Sequence, residues 1–180
     1  MAVFAGGLTV HRSGAGSGRG YLRSMTDTAT ASVSPLTDAE RDAAIDHFAA
    51  KLRYETDSSD VVADLAAGKR LVLVDSRGHA AWHQGHAAPA IHMPTAEIAE
   101  RAPQEIPLDA AVVVYCWSPG CNGTTKAALQ FSRLGYEVRE LIGGFEYWAR
   151  EGYDVTDDKG PVARRLDELT TPLDGANCDC

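Results

Sequence analysis

Val112-Val113-Val114-Tyr115-Cys116-Trp117-Ser118-Pro119-Gly120-Cys121-Asn122-Gly123 is the stretch on which the fold turns. Its opening apolar run predicts a strand buried on both faces, because a strand with one wet face alternates apolar and polar residues. The run stops at a thiol and enters a loop carrying Pro119, Gly120 and Gly123. Beyond it, Thr124 to Leu134 follows helical spacing, with Ala127, Ala128, Phe131 and Leu134 on the inward side. A strand, a glycine-rich loop and a helix in that order form the repeating unit of a parallel sheet.

The same alternation extends outward from this unit. Leu71-Val72-Leu73-Val74 reads as a second buried strand, Ala90-Ile91-His92-Met93 as a short one closed by Pro94, and Glu137 to Leu141 as another. Helices are expected at Ser59 to Ala67, stopped by Gly68, at Glu97 to Arg101, and at Gly144 to Glu151. Ahead of them, Thr37-Asp38-Ala39-Glu40 offers an N-cap with acids in the first turn. Ile45, Phe48, Ala49 and Leu52 follow at helical spacing, so residues 38–53 predict an amphipathic helix. Strands alternating with helices imply an α/β fold with a mostly parallel sheet covered on both faces.

Composition limits the function. The 180 residues suit one domain with trailing sequence, and a hydrophobic fraction of 44% can supply its core. A net charge of −8 disfavours nucleic acid and anionic membrane surfaces as partners. No apolar run approaches the roughly 20 residues needed to cross a bilayer. Residues 1–37, rich in Gly, Ser, Thr and Ala, are expected to be a flexible extension. Within it Arg12, Arg19 and Arg23 follow the apolar residues, the reverse of a secretory signal; Met25 is a candidate natural start and the expected location is cytoplasmic. The folded domain is expected over 38–156, and residues 157–180 read as a loosely attached polar tail.

The cysteines lie at 116, 121, 178 and 180, which leaves the N-terminal half without a staple and argues against a disulfide frame. Ligands in open parallel sheets bind beyond the carboxyl ends of the strands. Cys116 occupies one such end, and Asp75-Ser76-Arg77 occupies another. A curled loop over residues 117–123, followed by a helix N-terminus, can turn its N–H groups inward and hold an anion. Those donors are expected to stabilise the thiolate of Cys116, the form that acts as a nucleophile. Cys121, in the same loop, is either a second thiol acting on Cys116 or a small residue that fits. Cys178 and Cys180 read as a solvated pair, since two thiols do not complete a zinc shell. His79 and His83 read as surface residues, and His11, His47 and His92 show no ligand spacing, so neither metal nor cofactor is expected.

Several of these segments resemble the motifs of the rhodanese family. Asp75-Ser76-Arg77, then Trp82-His83-Gln84-Gly85-His86, Pro89-Ala90-Ile91 and Met93-Pro94, is similar to its N-terminal motif. Tyr115-Cys116 entering a glycine-rich loop resembles its active-site segment. Gly143-Gly144-Phe145-Glu146-Tyr147-Trp148 with Gly152-Tyr153-Asp154-Val155 resembles its closing motif, so the likeness covers about residues 60–156. The resemblance implies a five-stranded fold and a sulfurtransferase. Cys116 would take a sulfane sulfur from thiosulfate, a thiol-bearing acid or an organic persulfide. It would then pass that sulfur to a thiol or cyanide.

There are departures. Gly85-His86 is followed by Ala87-Ala88-Pro89-Ala90 instead of Ile-Pro-Gly-Ala. Where many members carry a cation beside the cysteine, this chain has Trp117; its first cation is Lys126, and its loop is longer. The expected binding residues are therefore Trp117, Ser118, Gly120, Asn122, Gly123 and Thr124, with Arg77 lining the site, Lys126 on the helix, and a donor bulkier or less charged than thiosulfate. Asp75 and His86 are expected to be structural. Trp82 and Trp148 are assigned to packing. A cysteine-dependent phosphatase or arsenate reductase ranks behind, because Asn122 and Gly123 stand where an arginine must clamp the oxyanion. A non-catalytic binding or regulatory module of the same fold is the other alternative.

Overall fold

The computed structural model describes residues 34–165 and 167–170. The chain divides into two units, 1–37 and 38–180. Of the first only residues 34–37 are described, and they form neither helix nor strand. The expected N-terminal extension therefore lies almost wholly outside the described residues, as do Cys178 and Cys180.

In chain order the second unit comprises α1 (Asp38–Tyr54), β1 (Glu55–Thr56), α2 (Ser58–Ala66), β2 (Leu71–Asp75), α3 (His79–Gln84), β3 (His86–Ala87), β4 (Ile91–His92), α4 (Ile98–Glu105), β5 (Ala111–Tyr115), α5 (Gly123–Arg133), β6 (Val138–Leu141), α6 (Gly144–Arg150), β7 (Val155–Asp157) and β8 (Gly160–Pro161). Five strands form one sheet in the order β1-β6-β5-β2-β4, and every pairing in it is parallel. The hydrophobic runs explain this directly. Both faces of β5 are covered, with Val112 and Val114 in the core under α4 and α5, and Val113 and Tyr115 in the core under α2 and α6. A strand that must be apolar on both sides tolerates no wet face, so helices cover the sheet above and below.

Local signals set most boundaries. Asp57 caps α2 by accepting from the Asp60 N–H at 2.9 Å, and Gly68, at φ +71°, ends that segment. α4 runs past Arg101, where the sequence ended it, and contains Pro103. Two turns survive the lost N–H because Ile98 and Ala102 are buried and Arg101 bridges Glu97 and Glu105.

Two expectations are corrected. The helix over 38–53 exists, but its apolar stripe does not enter a core: Ile45 is 58%, Phe48 61% and Leu52 82% exposed. α1 leads into the two-residue edge strand β1, while the two core faces are filled by the other helices. The polar tail does not begin at 157 either. β7 and β8 form a hairpin, β7 pairs antiparallel with β3, and Val155 enters the core. Strands of three and two residues, joined by a turn carrying Asp158 and Lys159, leave no apolar run for a sequence reading to detect. Beyond the hairpin, Arg164 donates to the carbonyls of Ala149 and, at 2.8 Å, Tyr153, tying residue 164 back to α6.

Candidate active site

β5 is the central strand of the sheet, so its carboxyl end delivers Cys116 to the middle of the molecule's upper edge, where the thiol is 7% exposed. The loop after it is shaped by contacts from two directions. Within the loop, the Cys121 N–H donates to the Ser118 carbonyl at 3.0 Å, closing a turn over Pro119 and Gly120. From outside, the first N–H groups of α6 hold the loop's carbonyls: Phe145 donates to Cys116 at 2.9 Å and Glu146 to Trp117 at 2.8 Å. This close approach explains Gly144, which sits at φ +61°; a Cβ there would lie 2.8 Å from the Cys116 carbonyl oxygen and 3.0 Å from the Ser118 nitrogen. Gly123 has a different role. A Cβ on it would lie 2.5 Å from the Cys116 sulfur and 3.2 Å from that of Cys121.

The two sulfurs are 3.1 Å apart, sharing a hydrogen bond, and both thiols are free. The Gly123 N–H donates to Cys121 Sγ at 3.4 Å. Burial, then the neighbouring Cys121, pushes the Cys116 thiol up to about 11, whereas the loop's N–H groups were expected to stabilise its thiolate. Cys121 is lowered instead, first by the Cys116 hydrogen bond, then by the Gly123 N–H, with the positive charge of Lys126 adding to it. The loop's backbone acts on both sulfurs, Trp117 lowering each, but burial outweighs it at Cys116 and not at the better-solvated Cys121.

The residues expected to bind substrate divide by position. Ser118, Gly120, Asn122 and Thr124 come together with Cys121 on the wall of a cavity of about 330 Å³. The same wall carries Glu55 and Glu140 and, among the described residues, no cation. Gly123 packs beneath the sulfurs rather than lining the cavity. Lys126 is exposed on the second turn of α5. Trp117, 40% exposed, meets Phe145 edge to face at 6.2 Å.

Arg77 does not line an open site. Its side chain is fully buried, as is that of Asp75. Arg77 Nε donates to Asp75 Oδ1 at 2.9 Å, Nη2 to Asp75 Oδ2 at 2.6 Å and to the Gly85 carbonyl at 2.7 Å. The guanidinium carbon lies 4.4 Å from the Trp117 ring centre and 4.1 Å from that of Phe145, so a fixed cation supports the loop from below. Nη1 is buried without a hydrogen-bond partner. Asp75 is structural, as expected: its Oδ1 accepts from the Arg77 N–H at 2.9 Å. His86 is structural too, its Nδ1 standing 3.0 Å from the Trp82 carbonyl oxygen and its ring stacked on Trp82. Trp148 is buried and donates from Nε1 to the Asp154 carbonyl at 2.9 Å.

Sequence reasoning missed Tyr115, Phe145 and Glu140. The Tyr115 hydroxyl donates to Asp75 Oδ2 at 2.8 Å and accepts from the Ala87 N–H at 3.1 Å. Burial and the adjacent Asp75 charge raise its pKa well above the ordinary phenol value. A signal for it existed. Asp75 and Tyr115 are register partners at the ends of adjacent parallel strands, where two polar groups face the same level.

A parallel α/β domain with a thiol at the end of its central strand, inside a loop held by two helix N-termini, is the class that fold and site define. The match to a family model places it further: residues 58–151 match the rhodanese-like domain, and the chain belongs to that family. It is similar to a sulfurtransferase of Allochromatium vinosum, 35% identical over 106 residues that make up 59% of this chain and 97% of that protein. It is also similar to an HTH-type transcriptional regulator of Mycobacterium tuberculosis, Rv0324, 35% identical over 92 residues; these are 51% of this chain but only 40% of the regulator's length. Among solved structures, the BH2092 protein of Bacillus halodurans superposes with a TM-score of 0.62 at 35% identity, covering 72% of this chain and 98% of that one. No helix among the described residues is long and apolar enough to cross a membrane.

Proposed function

We propose that this domain is a sulfurtransferase that carries sulfane sulfur as a persulfide on Cys116. The observation that supports this most is the placement of that thiol: nearly covered, at the carboxyl end of β5, in hydrogen-bond contact with a second, more acidic thiol. A thiol held at about 11 is a poor nucleophile by itself. Cys121, as the thiolate, sits 3.1 Å away and accepts the Cys116 proton as attack begins, which is the role of a general base. Cys116 Sγ then bonds to the donor's transferable sulfur and the bond that held it breaks: in a persulfide the sulfur–sulfur bond, with a thiolate leaving, and in a thiol-bearing 2-oxo acid the carbon–sulfur bond, with the enolate leaving.

The donor in this reading is a small organic persulfide or thiol-bearing acid rather than thiosulfate. Ser118, Gly120, Asn122 and Thr124 supply neutral polar contacts, and Glu55 and Glu140 oppose a dianion entering from the cavity. Trp117 borders the donor's path, and Arg77 is a positioning residue beneath it. Lys126 offers the only cation of the first two turns of α5. The acceptor class is a thiol or cyanide, both of which attack an outer persulfide sulfur.

Intact-mass measurement of wild type and Cys116→Ser after exposure to thiosulfate or to an organic persulfide tests this reading. The wild type gains sulfur or releases it onward as sulfide, more readily from the organic persulfide, and Cys116→Ser does neither. Loading that survives Cys116→Ser would overturn the assignment of the nucleophile.

A further inference from the structure

The loop around Cys116 is occupied from within. The turn closed by Cys121 N–H and the Ser118 carbonyl folds Cys121 back toward Cys116, and Gly123, lacking a Cβ, leaves space for both sulfurs at 3.1 Å. The Gly123 N–H, which in an empty cradle would meet a bound anion, points at Cys121 Sγ. Cys121 also lines the 330 Å³ cavity, whereas Cys116 does not. One thiol therefore faces the buried nucleophile and the outside at once.

We infer that Cys121 discharges the Cys116 persulfide, so that the domain reduces sulfane sulfur to sulfide through an internal Cys116–Cys121 disulfide. The inference rests on the persulfide reading above. The Cys121 thiolate attacks Cys116 Sγ, a bond forms between the two cysteine sulfurs, and the bond from Cys116 Sγ to the outer sulfur breaks. The outer sulfur leaves as hydrosulfide, a weakly basic leaving group. Overall, Cys116–S–SH and Cys121–SH give the disulfide and hydrogen sulfide. The two cysteines lose a pair of electrons, and the sulfane sulfur gains it. The 3.1 Å contact has to shorten by only about 1 Å to reach the length of a sulfur–sulfur bond.

An external dithiol then resets the pair. It attacks Cys121, the sulfur open to the cavity, releases the Cys116 thiol, and closes to its own disulfide as it frees Cys121. The cavity's chemistry selects the class of reductant. With Glu55 and Glu140 on its wall and no described cation, it favours a neutral or cationic dithiol over an anionic thiol.

The test is a single turnover without reductant. Wild-type protein and Cys121→Ser are treated with one equivalent of an organic persulfide, freed of small molecules and trapped by alkylation. Intact mass and a sulfide assay are then read together. Wild type is expected to release one equivalent of sulfide and to finish two hydrogens lighter, with no alkylation at Cys116 or Cys121. Cys121→Ser lacks the base as well and loads more slowly, so it is exposed to the donor until loading is complete; it is then expected to keep the added sulfur on Cys116 and to release none until a thiol is supplied. Wild type that keeps its added sulfur as long as Cys121→Ser does would overturn the inference while leaving the persulfide reading intact. If neither protein gains sulfur or releases sulfide, the persulfide reading itself fails. The wild-type measurement decides by itself should the variant fold poorly.

Discussion

Replacing Asp75 by Ala attacks the element beneath the active loop. Asp75 and Arg77 are both fully buried, and the carboxylate takes the Arg77 Nε, Nη2 and backbone N–H groups and the Tyr115 hydroxyl. Asp75→Ala strands a guanidinium in the interior, with only the Gly85 carbonyl still accepting from it. Breaking a buried pair from one side costs about 3–5 kcal/mol. Near ~4 °C per kcal/mol for a domain of this size, the melting temperature should fall by about 10–20 °C. Removing the cation as well, in Asp75→Ala/Arg77→Met, should recover part of that loss. No charge is then left unpaired, and the remaining penalty is the orphaned Gly85 carbonyl and Tyr115 hydroxyl, about 1–3 kcal/mol each. The assay is urea unfolding at low temperature of wild type, both single variants and the double variant, closed as a thermodynamic cycle. We expect a coupling of about 2 kcal/mol or more between the two positions. Additive single effects, or an Asp75→Ala variant within about 1 kcal/mol of wild type, would refute the claim that a buried, mutually dependent pair supports the loop.

Gly123→Ala should abolish sulfur loading while leaving the fold assembled, because the new methyl falls 2.5 Å from Cys116 Sγ and must displace the sulfur pair; circular dichroism with intact mass separates the two effects. With Cys178 and Cys180 replaced by Ser in every protein measured, thiolate absorbance against pH should show two separate steps when Cys116 and Cys121 are both present. Cys121 ionises below the ordinary thiol value, and Cys116 follows at about 11. In Cys121→Ala the hydrogen bond and charge that raise Cys116 are gone while its burial remains. Its single step should therefore fall below 11 and stay above the ordinary thiol value of about 8.5. A Cys116 step unmoved by that substitution would show that burial alone sets its acidity.

The sheet and the position of the Cys116 thiol at a strand's carboxyl end were legible in the sequence. Leu71–Val74 and Val112–Tyr115 are apolar without interruption, and such runs require burial on both faces, hence parallel strands with helices on either side. The end of a run is a local event too, so Cys116 could be placed at a strand's carboxyl end from its neighbours alone. Helix boundaries at Gly68 and Gly144 were likewise written in residues that sit beside them.

Other features depended on chain segments far apart in sequence, and only the tertiary structure decided those. α1 has a helical apolar stripe, yet Phe48 and Leu52 stay exposed, because whether a stripe is covered depends on what packs opposite it. The β7–β8 hairpin is too short and polar to carry a periodic signal, and it forms through pairing with β3, some 70 positions earlier. The Arg77 guanidinium entered the interior because Asp75, Gly85 and Tyr115 converge there from separate elements. Acidity followed the same rule. A sequence names two cysteines five positions apart in one loop, but solvation and N–H direction belong to the folded loop. At Cys116 burial opposes the loop's backbone donors, while Cys121, better solvated, is lowered. Sequence alone thus determined that a thiol ends a buried strand of a parallel sheet, while the fold decided that this strand is the central one, which of two sulfurs is buried, and that they touch.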